Sequence, residues 1–220
     1  MHLARHSFPN FQPLQRTELL ASQIAVSIRQ RILDGDWKPG ERIVESRLAR
    51  ELKVGQPTLR EALVSLENCG LVTRQTTKGC IVTELSPKQV CDLVAIRQML
   101  EALAIDLICT TATDGELANL EEIANKLVET AYEEGAQFRA QDLLFHQSMW
   151  GMTGNEFISR QLEQVTLPLL AFFAAPDWSK LTSAKAHQAL ASELSLRDAT
   201  AAKKTNRILL QAMGGFRLET

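Results

Sequence analysis

Hydrophobic positions recur with helical spacing through the first third of the chain, switch briefly to an extended pattern, and then return to helix. "TELLASQIAVSIRQRILDGD" puts Leu20, Ile24, Ile28 and Ile32 on one stripe, with Thr17 as N-cap and Gly35 as stop, and predicts a first helix. "WKPGERIV" reads as a Pro-Gly turn into an extended piece, and "ESRLAREL" as a short helix that turns Leu48 and Leu52 inward until "KVG" ends it. Pro57 suits a first helical turn, where its missing N–H is not needed. It opens a third helix with Ala62, Leu63, Leu66 and Cys69 on the buried side and Gly70 as stop. "LVTRQTTKGCIV" then predicts two short strands, 71–74 and 80–83, around a polar loop at 75–79. Three helices and a hairpin make a winged helix-turn-helix over residues 17–84, preceded by an arm at 1–16 that has no periodicity.

After Pro87 the pattern is helical to the end. "TDGELANLEEIANKLVETAYEEG" opens with a Thr113–Glu116 capping box, and Gly135 is expected to close that helix. Further helices are expected at about 87–111, 136–152, 155–174, 183–195 and 198–213, the last capped by Asp198. The expected fold is therefore mainly α: the winged helix-turn-helix, followed over 85–220 by an antiparallel bundle of six or seven helices.

Composition agrees with two folded parts. A chain of 220 residues has room for two cores, and 45% hydrophobic with 23% charged residues argues against wholesale disorder. No apolar run approaches the roughly 18 residues that span a bilayer, and "MHLARHSFPNFQPLQR" lacks the apolar centre of a secretory signal, which points to a cytoplasmic protein without a membrane partner. Cys69, Cys80, Cys91 and Cys109 form no C-x-x-C pair and read as reduced, mostly buried thiols. Charge divides unevenly: residues 1–84 carry 12 Lys/Arg against 9 Asp/Glu, and residues 85–220 carry 12 against 17. A basic module joined to an acidic one fits a nucleic-acid-binding part attached to a part with another task.

In a helix-turn-helix the second helix presents its first turns to the major groove, and here those turns carry Gln56, Thr58, Leu59 and Arg60. Gln can pair with adenine through two hydrogen bonds, and Arg can fork onto guanine or a phosphate. Thr76, Thr77 and Lys78 would flank the groove where the hairpin meets the backbone, with Gly79 permitting close approach and with Arg74 and Arg47 adding phosphate contacts. Arg60 and Glu61 alone would read as a solvated face. Helix spacing, the Pro57 start, the Gly70 stop and a hairpin tipped by Lys and Gly coincide, however, and favour double-stranded DNA as partner. Most of such a reader's specificity comes from pairing two half-sites, so a homodimer on a palindromic operator is expected.

In "RAQDLLFHQSMWGMTGN", Asp142 and His146 share the helical face that carries Phe138, Phe145 and Met149. A carboxylate and an imidazole one turn apart are a common beginning of a metal site, with His187 of "SAKAHQAL" as a third ligand. The other reading is a hydrogen-bonded core pair with His187 partly exposed. His2 and His6 share the same spacing in the N-terminal arm and carry no assignment.

"PGERIVESRLARELKVGQPTLREALVSLENCGLVTRQTTKGCIV", residues 39–82, resembles the winged-helix signature of GntR-type bacterial transcription regulators through P-G-E-R-I, E-S-x-L-A, L-R-E-A-L, G-L-V and K-G-x-x-V. Where these regulators usually carry Ser-Arg-Thr-Pro, this chain has Gly55-Gln56-Pro57-Thr58, so the resemblance implies a related palindrome with altered base preference. Residues 87–213 resemble the all-helical ligand-binding domain of the FadR-type branch, FCD subgroup, through "IRQMLEALA" with Arg97 and Glu101, "DLLFH", and a His ahead of a final Asp-capped helix. That resemblance implies a divalent metal (Zn, Ni or Mn) held by an Asp, the His four residues on and two further His, and a small carboxylate effector beside it. Asp142, His146 and His187 match three positions; the fourth, 22 residues beyond His187, is Leu209, which cannot ligate. Either Asn206, one turn earlier, or water then fills in, or the site has become metal-free; Asn206 is placed at the effector site. Arg97 either forks onto the effector carboxylate or bridges to Glu101. The reading is a regulator, acting as a repressor, whose operator affinity a small organic acid controls. Its rival is a metal-dependent hydrolase-like enzyme built on Asp142, His146 and His187, which lacks an H-E-x-x-H motif and leaves residues 54–82 without a purpose.

Overall fold

Ile24, Ile28 and Ile32 are buried, as their spacing demands, and close over Leu48, Leu59, Leu63 and Leu66 to form the core of the N-terminal part. Each fully buried aliphatic side chain contributes about 1.5–3 kcal/mol, so this small core is strongly held. The computed structural model describes residues 15–76, 79–133, 135–172 and 180–214. Along them run α1 (Gln15–Leu33), β1 (Arg42–Ile43), α2 (Glu45–Glu51), α3 (Gln56–Asn68), β2 (Val72–Gln75), β3 (Gly79–Val82), α4 (Pro87–Thr111), α5 (Asp114–Thr130), α6 (Gly135–Gly151), α7 (Glu156–Phe172), α8 (Lys180–Ser195) and α9 (Ala199–Gly214).

The extended piece after the Pro-Gly turn becomes β1, which pairs antiparallel with β3 through Arg42 opposite Ile81 and Ile43 opposite Cys80. β3 also pairs with β2, giving the order β1-β3-β2. A two-residue strand carries no alternation of its own, so this pairing was not legible in the sequence. Both hairpin strands sit one residue from their expected limits, 72–75 and 79–82.

Several expectations are corrected. α1 begins at Gln15, so Thr17 stands inside the helix rather than ahead of it, and the expected arm is shortened; residues 1–14, with His2 and His6, lie outside the described residues. Leu20 and Leu52 are exposed (42% and 38%) because the core beneath their helices ends before it reaches them. α5 ends at Thr130, and Gly135 opens α6 instead of closing α5. Cys80 is buried, whereas Cys69, Cys91 and Cys109 are half-buried; all four are free thiols.

The bundle is α4 to α9 among the described residues. α8 packs between α5 and α9, while α4 packs on α7 and α9. The Thr113 hydroxyl accepts from the Glu116 N–H as the Glu116 carboxylate accepts from the Thr113 N–H, completing the expected capping box. Ser86 and Gln89 form a second one ahead of Pro87, whose S-x-x-Q spacing carried the same signal. Asp198 caps α9 by accepting from the N–H groups of Thr200 and Ala201.

The two parts share a core. Leu167, Leu169, Leu170 and Ala171 of α7, Leu143 of α6 and Leu210 of α9 join the cluster that contains α1 and α3. Gln164 Nε2 donates to the Asn68 carbonyl at the end of α3 (2.8 Å), and Arg29 Nη1 donates to Glu163 Oε1 (3.0 Å). Gly70 stops α3 at φ +75, and a Cβ there would lie 2.9 Å from Pro168 Cγ.

Candidate functional site

The helix-turn-helix turn is made by Lys53 in the left-handed region (φ 54), with its N–H on the Arg50 carbonyl and the Val54 N–H on the Ala49 carbonyl. This reverses the chain within a few residues and sets α3 across α2, with extended Gly55 leading into Pro57 in the first turn. Gln56 and Arg60 are exposed on α3, Thr58 is half-buried and Leu59 is fully buried. Leu59 is therefore the anchor that turns its neighbours outward. Arg47, Arg74, Thr76 and Gly79 are also exposed; Thr77 and Lys78 lie outside the described residues.

An acidic residue that sequence reading passed over organises this face. Glu45 accepts from Arg60 Nε through Oε2 (3.0 Å), and its Oε1 lies 3.7 Å from Arg74 Nη1. Arg74 Nε also donates to Glu67 (3.2 Å), and Arg47 Nε to Glu51 (2.8 Å). Arg60 is still 61% exposed and Arg47 78% exposed. Exposed pairs of this kind are worth about 0–1 kcal/mol, so a phosphate or base edge can replace the carboxylate at little cost. The E-S-x-L-A motif contains Glu45, but nothing in the sequence marks its partners, which are 15 and 29 residues away.

The second constellation is buried in the bundle. Asp142, His146 and His187 come together, each at most 2% exposed, and one potential ligand atom from each lies within 4.8 Å of the others. His187 Nδ1 lies 2.8 Å from the Ser183 carbonyl. A carbonyl can only accept, so that contact places the proton on Nδ1 and turns the Nε2 lone pair inward. His187 Nε2 is 3.1 Å from His146 Nε2 and 3.4 Å from Asp142 Oδ1, an oxygen with no hydrogen-bond partner. Phe145 meets both imidazoles edge-on, and Trp150 stacks on His146 with ring centroids 5.5 Å apart. Packing of this kind locks the rotamers.

Arg97, which the sequence left between an effector contact and a salt bridge to Glu101, makes the salt bridge and also reaches a histidine of the cluster. Arg97 Nε donates to Glu101 Oε1 (3.0 Å), which also accepts from Trp150 Nε1 (3.2 Å). Arg97 Nη2 reaches the His146 ring, 2.9 Å from Nε2 and 3.2 Å from Nδ1. Burial, with Arg97 and His187 adding to it, holds the His146 imidazole well below its usual range and keeps it neutral. Burial pushes the Asp142 carboxyl up, against the pull of His187 and Arg97. Asn206 is buried on α9 with its Oδ1 unpartnered, and Leu209, one turn on, is buried too.

The donor set fits a divalent metal on its chemistry: the His187 imidazole with its second nitrogen already bonded to a carbonyl, the neutral His146 imidazole and an orphaned carboxylate oxygen. His187 is thus no surface residue. The Ser183–His187 i,i+4 spacing was visible in "SAKAH", but the carbonyl bond that fixes the tautomer was not.

Comparison with known proteins decides the family. The family described as bacterial regulatory proteins, gntR family, matches residues 20–82, and the FCD domain matches residues 92–212. The chain is a GntR-family transcriptional regulator with an FCD domain. It is 32% identical over 162 residues to the Nta operon transcriptional regulator of Aminobacter aminovorans, covering 73% of this chain and 77% of that one. It is 26% identical over 137 residues to the gluconate operon transcriptional repressor of Bacillus licheniformis, covering 62% of this regulator and 56% of that one. The solved structure of Escherichia coli McbR/YncC superposes with a TM-score of 0.76 at 22% identity, over 87% of this regulator and 93% of that chain, and shows the same fold. These proteins are transcription regulators, and the hydrolase alternative finds no support among them. Among the described residues of the GntR regulator, no helix is long and apolar enough to cross a membrane.

Proposed function

We propose that this regulator is a homodimeric repressor that binds a palindromic operator through α3 and the wing and is released by a small carboxylate effector bound beside a divalent metal in the FCD domain. The observation that carries the sensor reading is the convergence of Asp142 Oδ1, His146 Nε2 and His187 Nε2 in the bundle interior, with the Arg97 guanidinium beside them. Asp142, His146 and His187 would hold Zn, Ni or Mn; Asn206, whose Oδ1 is buried without a partner, would complete the effector site in place of the ligand that Leu209 cannot supply. The metal supplies a Lewis-acidic centre for a carboxylate oxygen, and Arg97 supplies the matching fork. Arg47, Gln56, Thr58, Arg60, Arg74, Thr76, Thr77, Lys78 and Gly79 are the proposed DNA-contacting residues. Repression is supported by the relative named as an operon repressor, and dimerisation by the apolar face that Ile96, Met99 and Leu103 leave exposed on α4.

Elemental analysis of the purified, untagged protein, with thermal shifts with and without chelator, tests the sensor. About one metal per chain and a melting temperature lowered by chelator are expected. No metal and no shift would leave Asp142 and His146 as a polar core pair. Selection from random duplexes tests the operator: an inverted repeat should be enriched, and enrichment of single half-sites alone would sink the palindrome.

A further inference from the structure

Arg97 and a metal ion claim the same imidazole. Arg97 Nη2 lies within hydrogen-bond distance of both His146 ring nitrogens, 2.9 Å from Nε2 and 3.2 Å from Nδ1. If it donates to Nε2, it occupies the lone pair that faces His187. If it donates to Nδ1, then Nε2 carries the proton and donates across the 3.1 Å gap to His187 Nε2, whose own proton is held on Nδ1 by Ser183. A metal at Nε2 excludes both arrangements: it takes the lone pair directly in the first, and in the second it requires the proton to move to Nδ1, which can then no longer accept from Arg97.

The structure also supplies the place to which the guanidinium can go. Glu101 uses Oε1 twice, for Arg97 Nε and Trp150 Nε1, while its buried Oε2 has no hydrogen-bond partner. A guanidinium already anchored by Nε can swing an outer nitrogen onto Oε2 and form the two-bonded fork that carboxylates favour. The His146 Nδ1, 3.8 Å from Glu101 Oε1, then faces the same carboxylate, the usual acceptor behind a ligating histidine.

We infer that Arg97 is an internal cation that holds His146 in the metal-free regulator and is driven onto Glu101 when metal enters. This rests on the metal reading above and adds an exchange to it. Metal-free protein keeps a packed, hydrogen-bonded centre, and the group that recognises an effector carboxylate is repositioned only once metal is bound.

The test is a zinc titration of full-length, metal-stripped protein against a chromophoric chelator, for wild type, the double variant Arg97→Met with Glu101→Gln, and Glu101→Gln alone. The double variant removes one positive and one negative charge together, so the net charge around the ligands is unchanged while the occupant of His146 is lost along with the carboxylate behind it, a second loss that Glu101→Gln alone measures. Zinc should bind the double variant about tenfold more tightly or more, the scale set by one charge-assisted hydrogen bond that no longer has to be broken. Glu101→Gln, which keeps the occupant and weakens its landing place, should bind zinc less tightly than wild type. Should the double variant fail to fold, Arg97→Lys keeps the charge without the fork and is expected to tighten zinc binding as well. Equal or weaker binding by the folded variant, with wild type binding zinc normally, would overturn the exchange and leave the metal site standing. Absence of binding to any of the proteins would overturn both.

Discussion

At the scale of single residues, both constellations are held by partners that a sequence does not display. Arg60 is visible as an exposed residue of the first turns of α3 because Pro57 and the buried Leu59 and Leu63 fix the phase of that helix. Its carboxylate partner, Glu45, sits on a different helix. Arg60→Ala should therefore weaken operator binding by about 1–3 kcal/mol at matched salt while leaving the melting temperature nearly unchanged, since an exposed pair stabilises the fold little. Unchanged affinity in a fluorescence anisotropy titration would take Arg60 out of the interface. The Asp142–His146 spacing announced a polar pair on an apolar face. His187 joins it, as the sequence offered, but the contact of its Nε2 with His146 and the tautomer set by Ser183 followed only from seeing the packed helices.

Elements divide the same way. Caps are local and were legible: Thr113 with Glu116, and Asp198 ahead of α9, stand where the sequence places them. Thr113→Ala should cost about 1 kcal/mol in a denaturant melt. Hydrogen bonds from the Thr113 backbone N–H and hydroxyl hold the Glu116 carboxyl below its usual range. A lowered folded pKa means that the contribution is present above the ordinary glutamate pKa and lost as pH falls through the folded value. The stability difference between wild type and Glu116→Gln should accordingly be seen at neutral pH and shrink in acid, and a difference that does not fall as pH is lowered would contradict the cap. Helix ends set by packing were not legible. Gly135, which looks like a stop, opens α6, whereas Gly70 is a stop twice determined, by its positive φ and by Pro168 against it. Gly70→Ala should destabilise by about 1–3 kcal/mol. If the α3–α7 contact carries the effector signal, the variant should also bind operator with a blunted effector response in the same anisotropy assay.

For the whole molecule, the shared core changes the mechanical picture. A winged helix on a linker would be free of the sensor, but here α7 carries Leu167, Leu169 and Leu170 into the DNA-reading part, and Gln164 bonds the end of α3. A shift of α7 would thus be passed to α3 through the packed side chains the two share. The exposed α4 face gives a prediction at this scale. In light scattering the protein should show twice its 24.5 kDa chain mass, and Met99→Glu should return it to a monomer with weaker operator affinity. A wild-type monomer that binds the full palindrome would refute the arrangement.

By itself the sequence determined what short-range chemistry decides: helix phase from apolar spacing, starts and stops from Pro, Gly and capping side chains, the exposed residues of α3, and the polar pair of α6. Those signals are complete within one or two turns of chain. The tertiary structure alone decided the third strand of the wing, the Glu45 bridge between Arg60 and Arg74, the seating of α7 against α3, and the meeting of Arg97, Glu101, His146 and His187. Glu45 and Arg60 are 15 positions apart, Arg97 and His146 49, and Asn68 and Gln164 96. Which of the many possible long-range pairs forms is settled by how whole faces pack, not by any one residue's neighbours.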